Sequence, residues 1–282
     1  MNDTKRRLAD PLEDIEALSL ATFQSTLSAR QGEAERVSRM LHHFDQIVDV
    51  SAVRDIGVVG CGPHPEIIAL LAERGYSVTG VEPVPLFVDA AEKLLEGKGR
   101  VLIGCAEKLP FESASLDLVF FENVLEHVES PSQCMNEMYR VLRPGGLVLV
   151  TTTNRHRFSA RGINDEFTTP FFNWLPGLIQ ESYVHRQLHF EPALANMTER
   201  PAVHWFSFRD LCRLGRDAGF ARFYSTLDTR TLDGAIVSGN WVKRFLQRSP
   251  SLLRTLQRNP WLRSLALTQI GQDCMMWKRA GS

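Results

Sequence analysis

The sequence lacks several features that would place it outside an ordinary reducing, aqueous setting. Its five cysteines (Cys61, Cys105, Cys134, Cys212, Cys274) are scattered, odd in number and never in C-x-x-C spacing, which argues against a disulfide framework or a structural zinc site. No stretch approaches the roughly 18 consecutive apolar residues of a membrane span. The opening MNDTKRRLADPLEDIEAL has a basic start but no apolar core of leader length, so a cytoplasmic protein is expected. Net charge is nearly missing too, at a formal −1, which gives no global pull toward nucleic acid. The balance is uneven, however: from Asn240 to Ser282 there are eight Lys or Arg against one acid, Asp273, so the remainder is acidic. Internal repeats and low-complexity tracts are also absent.

What is present is a globular composition, 44% hydrophobic and 23% charged, in a chain long enough for one large α/β domain with appendages. Residues Pro11 to Val50 read as helical, and Val37, Met40, Leu41, Phe44 and Val48 form an apolar face at three- and four-residue steps. From Ile56 short β-branched runs alternate with helical segments. The strands are IGVV, Val78 to Pro83, Val101 to Gly104, Leu116 to Phe121 and Gly146 to Thr153; the helices are Pro65 to Arg74, Pro85 to Leu95 and Gln133 to Leu142, the last halted by Pro144-Gly145-Gly146. This βαβαβ order predicts a doubly wound, Rossmann-like α/β sheet with its ligand crevice at the carboxyl ends of the strands.

The alternation breaks after Asn154. Residues 156–206 are rich in aromatics and prolines without a clean period and read as a lid or acceptor insertion. A helix from Ser207 to Ala218, a strand from Ala221 to Asp228 and a last strand from Asp273 to Arg279 follow. The expected organisation is therefore a helical cover over 1–50, a core over 51–155, the insertion over 156–206, and a completion of the core over 207–282 with a basic helical insertion at 240–270.

The first strand runs into Gly60-Cys61-Gly62-Pro63-His64-Pro65, a glycine loop that stops after two glycines. Glu82 follows Gly62 by 20 residues, at the tip of the second strand. An acid so placed takes the ribose hydroxyls of a nucleoside ligand. A nicotinamide-dependent Rossmann enzyme would use Glu82 equally, but Pro65 stands at its third glycine.

Three further segments make the pattern specific: Gly104-Cys105-Ala106-Glu107-Lys-Leu-Pro110-Phe111, Phe121-Glu122-Asn123-Val124-Leu125-Glu126-His127-Val128, and Tyr139-Arg-Val-Leu-Arg-Pro-Gly-Gly146. With the glycine loop and Glu82-Pro83, in this order and spacing, the chain resembles the class I S-adenosylmethionine-dependent methyltransferases that carry V-L-E-H-V and L-R-P-G-G motifs. The resemblance is dense from about Arg54 to Asn154 and continues around Phe206 to Tyr224. It implies a seven-stranded mixed sheet with the last strand antiparallel, and S-adenosylmethionine as cofactor. It implies that Gly60 and Gly62 line the methionine part, that Glu82 with Pro83 beside it binds the ribose, and that Cys105, Ala106 and Glu107 meet the adenine. Phe121 and Glu122 would border the methionine amino group. The chain departs from the family where Val58 replaces an acid, His64 a third glycine, and Cys105 an aspartate.

Methyl transfer from a sulfonium needs alignment and exclusion of water, from which proximity supplies roughly 7 kcal/mol or more. A base is needed only for a protonated acceptor. His127, one turn past the fourth strand, and His204, before the helix at Ser207, are the candidate catalytic residues; each also has a structural reading as a scaffold or capping group. Asn123-x-x-Glu126-His127 lacks the first acid of an E-x-x-E-H metal motif, so no metal is expected. The implied partner is a small-molecule acceptor, with oxygen preferred on family frequency, and no nucleic acid. The basic 240–270 segment could lie on an acidic membrane surface, but packing on its own domain is the favoured reading. A catalytically silent cofactor-binding regulator and a membrane-surface enzyme acting on a lipid or lipid-linked glycan are the alternatives.

Overall fold

The computed structural model of the 282-residue chain describes residues 30–62, 65–156, 170–180, 182–183, 204–225, 228–229, 249–259 and 273–281. The expected helix before residue 30, Pro63 and His64, most of the insertion at 156–206 and most of the basic stretch at 240–270 lie outside the described residues.

Helix α1 (Arg30–Asp45) leads into β1 (Asp55–Val59), α2 (Glu66–Ala72), β2 (Ser77–Glu82), α3 (Pro85–Leu95), β3 (Arg100–Ile103), β4 (Leu116–Glu122), α4 (Pro131–Val141) and β5 (Leu142–Thr151). After the insertion come α5 (Phe208–Ala218), β6 (Arg222–Tyr224), α6 (Pro250–Arg258) and β7 (Asp273–Trp277). The seven strands form one sheet in the order β3-β2-β1-β4-β5-β7-β6. All pairs are parallel except those of β7, which runs antiparallel to both β5 and β6.

Both faces of the sheet are apolar because both are covered, as parallel strands require. Val59, Val81, Val119, Phe121, Val148 and Val150 point into one buried cluster; Ile56, Val58, Val78, Leu118, Phe120, Leu147 and Leu149 point into the other. Each fully buried side chain of this size stabilises the fold by about 1.5–3 kcal/mol against its exposed form. Helix α1 covers the second face: Val37 and Phe44 are buried, and the Phe44 ring meets Phe120 edge-on at 5.4 Å between centroids.

The element boundaries differ from the sequence expectation in instructive places. Helix α1 stops at Asp45 rather than Val50, and the amides of Ile47 and Val48 both turn back to the Phe44 carbonyl, each at 2.8 Å. Helix α4 begins at Pro131, with the Ser130 hydroxyl accepting from the Gln133 amide, and ends at Val141, before Pro144. The Pro144-Gly145-Gly146 turn lies inside β5 instead of closing the helix. There the register jumps from Leu116↔Leu142 to Leu118↔Leu147, and Gly145 takes φ +89°, a conformation that glycine adopts without penalty. Lys278 clamps this junction: its Nζ donates to the carbonyls of Tyr139 and Leu142 at 2.7 and 2.6 Å and sits over the Tyr139 ring.

The topology creates the crevice. From β1 the chain winds outward through β2 and β3, then returns to β4 on the opposite side, so strand order reverses between β1 and β4. At such a reversal the loops leaving the carboxyl ends of the two strands diverge and leave space for a ligand.

Candidate functional site

Gly60 and Gly62 leave the end of β1 in left-handed conformations, φ +69° and +62°. A β-carbon on Gly60 would stand 2.2 Å from a Val124 methyl, so this position is bare because the loop after β4 closes on it. At Gly62 nothing lies within 4 Å of the corresponding point: here the conformation demands glycine and leaves open space. Glu82, 4% exposed at the tip of β2, ties the two strand ends together. Its carboxylate accepts the Gly62 amide at 3.0 Å on one oxygen and the Val84 amide at 3.2 Å on the other. Each oxygen retains a lone pair, enough for two vicinal hydroxyls. Burial pushes the Glu82 carboxyl above its usual range, against the pull of the two amides. The same burial, with Glu82 nearby, raises the Cys61 thiol and leaves it without thiolate character.

Across the β1/β4 reversal lies a cleft of about 340 Å³ whose lining includes Glu33, Arg36, Gly60, Cys61, Glu66, Glu122 and Asn123. Arg36, from α1, is its only cation among these lining residues. Its Nη1 donates to both oxygens of Glu122 at 2.8 and 3.0 Å, and its Nε donates to both oxygens of Glu33 at 2.9 and 2.8 Å. Burial raises the Glu122 carboxyl, with Arg36 opposing. Sequence reasoning placed Glu122 here but missed Arg36 and Glu33. Their i, i+3 spacing on α1 was the one available signal, and a local ion pair gives no hint of a partner 86 residues away.

The loop after β3 is held from α4. Glu137 accepts the Leu109 amide at 2.8 Å, and Arg140 donates to the carbonyls of Phe111 and Leu109. Ala106 is buried, Cys105 and Pro83 are exposed, and the Glu107 carboxylate accepts the Glu129 amide at 2.9 Å. Phe121 is fully buried in the core, so only its backbone is available at the crevice.

The opposite rim is built from the loop after β4 and the start of α5. Glu126, 2% exposed, accepts the hydroxyls of Thr152 at 2.7 Å and Thr153 at 3.2 Å from the end of β5, and its carbonyl accepts the His204 amide. His204 Nε2 lies 3.0 Å from the Val128 carbonyl. A carbonyl only accepts, so Nε2 carries the proton and Nδ1 holds the lone pair in the neutral ring. The His127 amide closes a turn on Val124 O. Neither histidine lines the cleft beside Arg36. Arg155, just past the end of β5, stands 3.6 Å from Asp210 and remains 57% exposed. Ser207 caps α5 in a reciprocal box with Asp210. Asn173 holds the 170–180 segment to the Arg155 carbonyl, and that segment exposes Trp174, Leu178 and Ile179.

With this geometry in view, residues 58–150 match the family profile of the methyltransferase domain. Over that span, about a third of the chain, the protein is similar to the methyltransferase domain. Over 95 residues it is 41% identical to a Mycobacterium sp. (strain JLS) protein named as an uncharacterized methyltransferase, covering 34% of this chain and 37% of that protein. Over 118 residues it is 33% identical to a probable S-adenosylmethionine-dependent methyltransferase of Mycolicibacterium smegmatis, covering 41% and 44%. The matched stretch thus spans less than half the length of either relative. Among solved structures, a geranyl diphosphate methyltransferase with sinefungin has a TM-score of 0.50 at 14% identity, covering 88% of this chain and 78% of that one. The Haemonchus contortus phosphoethanolamine N-methyltransferase 2 with S-adenosyl-L-methionine has 0.50 at 14%, covering 86% and 53%. At this identity these two share the fold.

Proposed function

We propose that the protein transfers a methyl group from S-adenosylmethionine to a small-molecule acceptor, with oxygen the preferred acceptor atom. The observation that carries this reading is Glu82: a buried carboxylate at the tip of β2, held by the Gly62 and Val84 amides with a lone pair spare on each oxygen, facing a glycine that leaves open space. When bound, the cofactor supplies an already activated electrophilic methyl. The chain's own residues then bind, orient and exclude water. Glu82 holds the ribose, the loop fixed by Glu137 and Arg140 presents Ala106 and its neighbours to the adenine, and the backbone at Gly60 and Phe121 borders the methionine end.

The acceptor approaches from the rim that carries His127 and His204. A protonated acceptor gives its proton to one of them, and for His204 the lone pair on Nδ1 is the receiving site. The exposed apolar side chains at 174–179 beside Arg155 support an organic acceptor with an apolar body. Calorimetry with S-adenosylmethionine tests the assignment. Replacing Glu82 by Ala removes a charge-assisted pair of hydrogen bonds, each worth about 1.5–3 kcal/mol, so affinity should fall at least about tenfold. Unchanged affinity in that variant would remove the ribose assignment and the reading with it. A mass shift of about 14 Da in a metabolite pool, the mass of the CH₂ that methylation adds, then identifies the acceptor.

A further inference from the structure

Just past the end of β5 the fold holds a guanidinium in place without satisfying it. The Arg155 backbone is fixed at both ends: its amide donates to the Phe206 carbonyl at 3.0 Å, and its carbonyl accepts the Asn173 side-chain amide. Among the described residues its guanidinium makes no hydrogen bond, since Asp210 stands 3.6 Å from Nη1. That Asp210 oxygen already accepts the Ser207 amide at 3.0 Å and the Ser207 hydroxyl at 2.7 Å, while the other oxygen faces Arg213 at 3.4 Å. Two guanidiniums therefore share one carboxylate, and Arg155 keeps open the planar fork of donors that a carboxylate or phosphate takes bidentately. Glu126, a further acid at this end of β5, is buried and turned inward on the hydroxyls of Thr152 and Thr153, so it presents no charge to an anion arriving from solvent.

Beside this guanidinium lies an apolar shelf. Asn173 ties the 170–180 segment to Arg155, the Trp174 ring stands 6.4 Å from that of His156, and Trp174, Leu178 and Ile179 are all exposed. Phe172 beneath them is fully buried against Tyr183 and Trp205, which gives the shelf a small core of its own and a fixed outer face. Large apolar side chains gathered in one short exposed segment next to a charge mark a contact surface. We propose that Arg155 and this shelf bind the acceptor, and that the acceptor is an organic anion: its carboxylate or phosphate sits on Arg155 and its aromatic or aliphatic body on Trp174. The inference rests on the function proposed above and names its substrate class, because Arg155 lies at the carboxyl end of the sheet and its partner Phe206 is two residues from His204. The anionic group is the handle and not the atom methylated, so the product keeps its charge.

Two matched pairs of probes test this by calorimetry on the full chain: naphthoate with naphthamide, and naphthyl phosphate with naphthol. In at least one pair the charged member should bind about fivefold more tightly or better, the effect of a charge-assisted contact at a partly exposed site, and the pair with the larger ratio tells carboxylate from phosphate. Arg155→Met should remove the preference, Arg213→Gln should keep it, and Trp174→Ala should weaken both members of a pair alike and leave the ratio. Should Arg155→Met unfold, which circular dichroism reports, Arg155→Lys decides: it keeps the charge without the fork and should lower the ratio. No preference in the wild type, or an undiminished one in the folded Arg155 variant, overturns the proposal. With methyl-labelled S-adenosylmethionine and a metabolite pool, the labelled product should be retained on an anion exchanger; alkaline phosphatase releases it if the handle is a phosphate and not if it is a carboxylate. A labelled product that passes through unretained also overturns the proposal. Failure of the underlying reading looks different: no labelled product forms while the probe preferences stand.

Discussion

Glu82 and Glu122 are both carboxylates whose charge is disfavoured by burial, opposed by two backbone amides at Glu82 and by Arg36 at Glu122. Their raised ranges make binding proton-linked. A ligand that prefers the ionised carboxylates binds tighter as pH rises through those ranges, and below them it must displace a proton. Titration in two buffers of different ionisation enthalpy should therefore show net proton release on binding at pH values above the ordinary glutamate range, fading once pH exceeds the raised values of the two buried acids. In Glu82→Gln the release should shrink to the part contributed by Glu122. Binding heats independent of the buffer throughout would contradict the linkage. At this scale Glu82 was legible in the sequence, since a fixed separation along the chain from a glycine loop has a geometric meaning. Arg36 was not, because its role depends on how α1 lies across the sheet and not on any spacing around it.

The elements themselves were largely written in local pattern. Short β-branched runs bounded by glycine and proline became β1 to β5, and Ser207 marked the start of α5. What local pattern could not supply was the use of a turn within a strand: Pro144-Gly145-Gly146 reads as a helix stop, yet antiparallel β7 and Lys278 hold it as a bulge in β5. The α5 cap makes an element-scale prediction. Asp210 is occupied from three sides, by the Ser207 amide and hydroxyl and by Arg155 and Arg213. Ser207→Ala removes one half of the box and should cost about 1 kcal/mol. For a chain of this size that is a fall of about 2–4 °C in melting temperature. Because an isolated bridge between Phe206 and Asn154 directly precedes this cap, two residues after His204, turnover should drop with little change in cofactor affinity. A melting temperature equal to wild type would show that the cap is redundant.

Over the whole molecule two opposed groups of carboxylates set how stability depends on pH. Asp117 lies below its ordinary range: burial pushes it up, but the Asp55 and Arg54 amides and Arg143 pull it further down, where it fastens β1, β4 and β5 at their starts. Glu137 is lowered by its hydrogen bond to Arg140; Asp210 is lowered by Ser207, Arg155 and Arg213 against burial. These three stabilise above the ordinary carboxylate range, and their contribution is lost as pH falls through their depressed values. Glu82 and Glu122 have the opposite sign. Their contribution is present below the ordinary range and is lost as pH rises through their raised values, so the ligand-free protein should be most stable on the mildly acidic side of neutrality. If the crevice binds S-adenosylmethionine as proposed, with its ribose on Glu82, the cofactor should offset the second loss, and its stabilisation should grow with affinity as RT ln(1 + [L]/Kd). Melting curves from about pH 4 to about pH 9, spanning the carboxylate range and beyond, should show the maximum moving toward higher pH when the cofactor is added. The increment should be larger at the alkaline end. Curves that rise in parallel at every pH would mean that the two buried acids take no part in holding the cofactor.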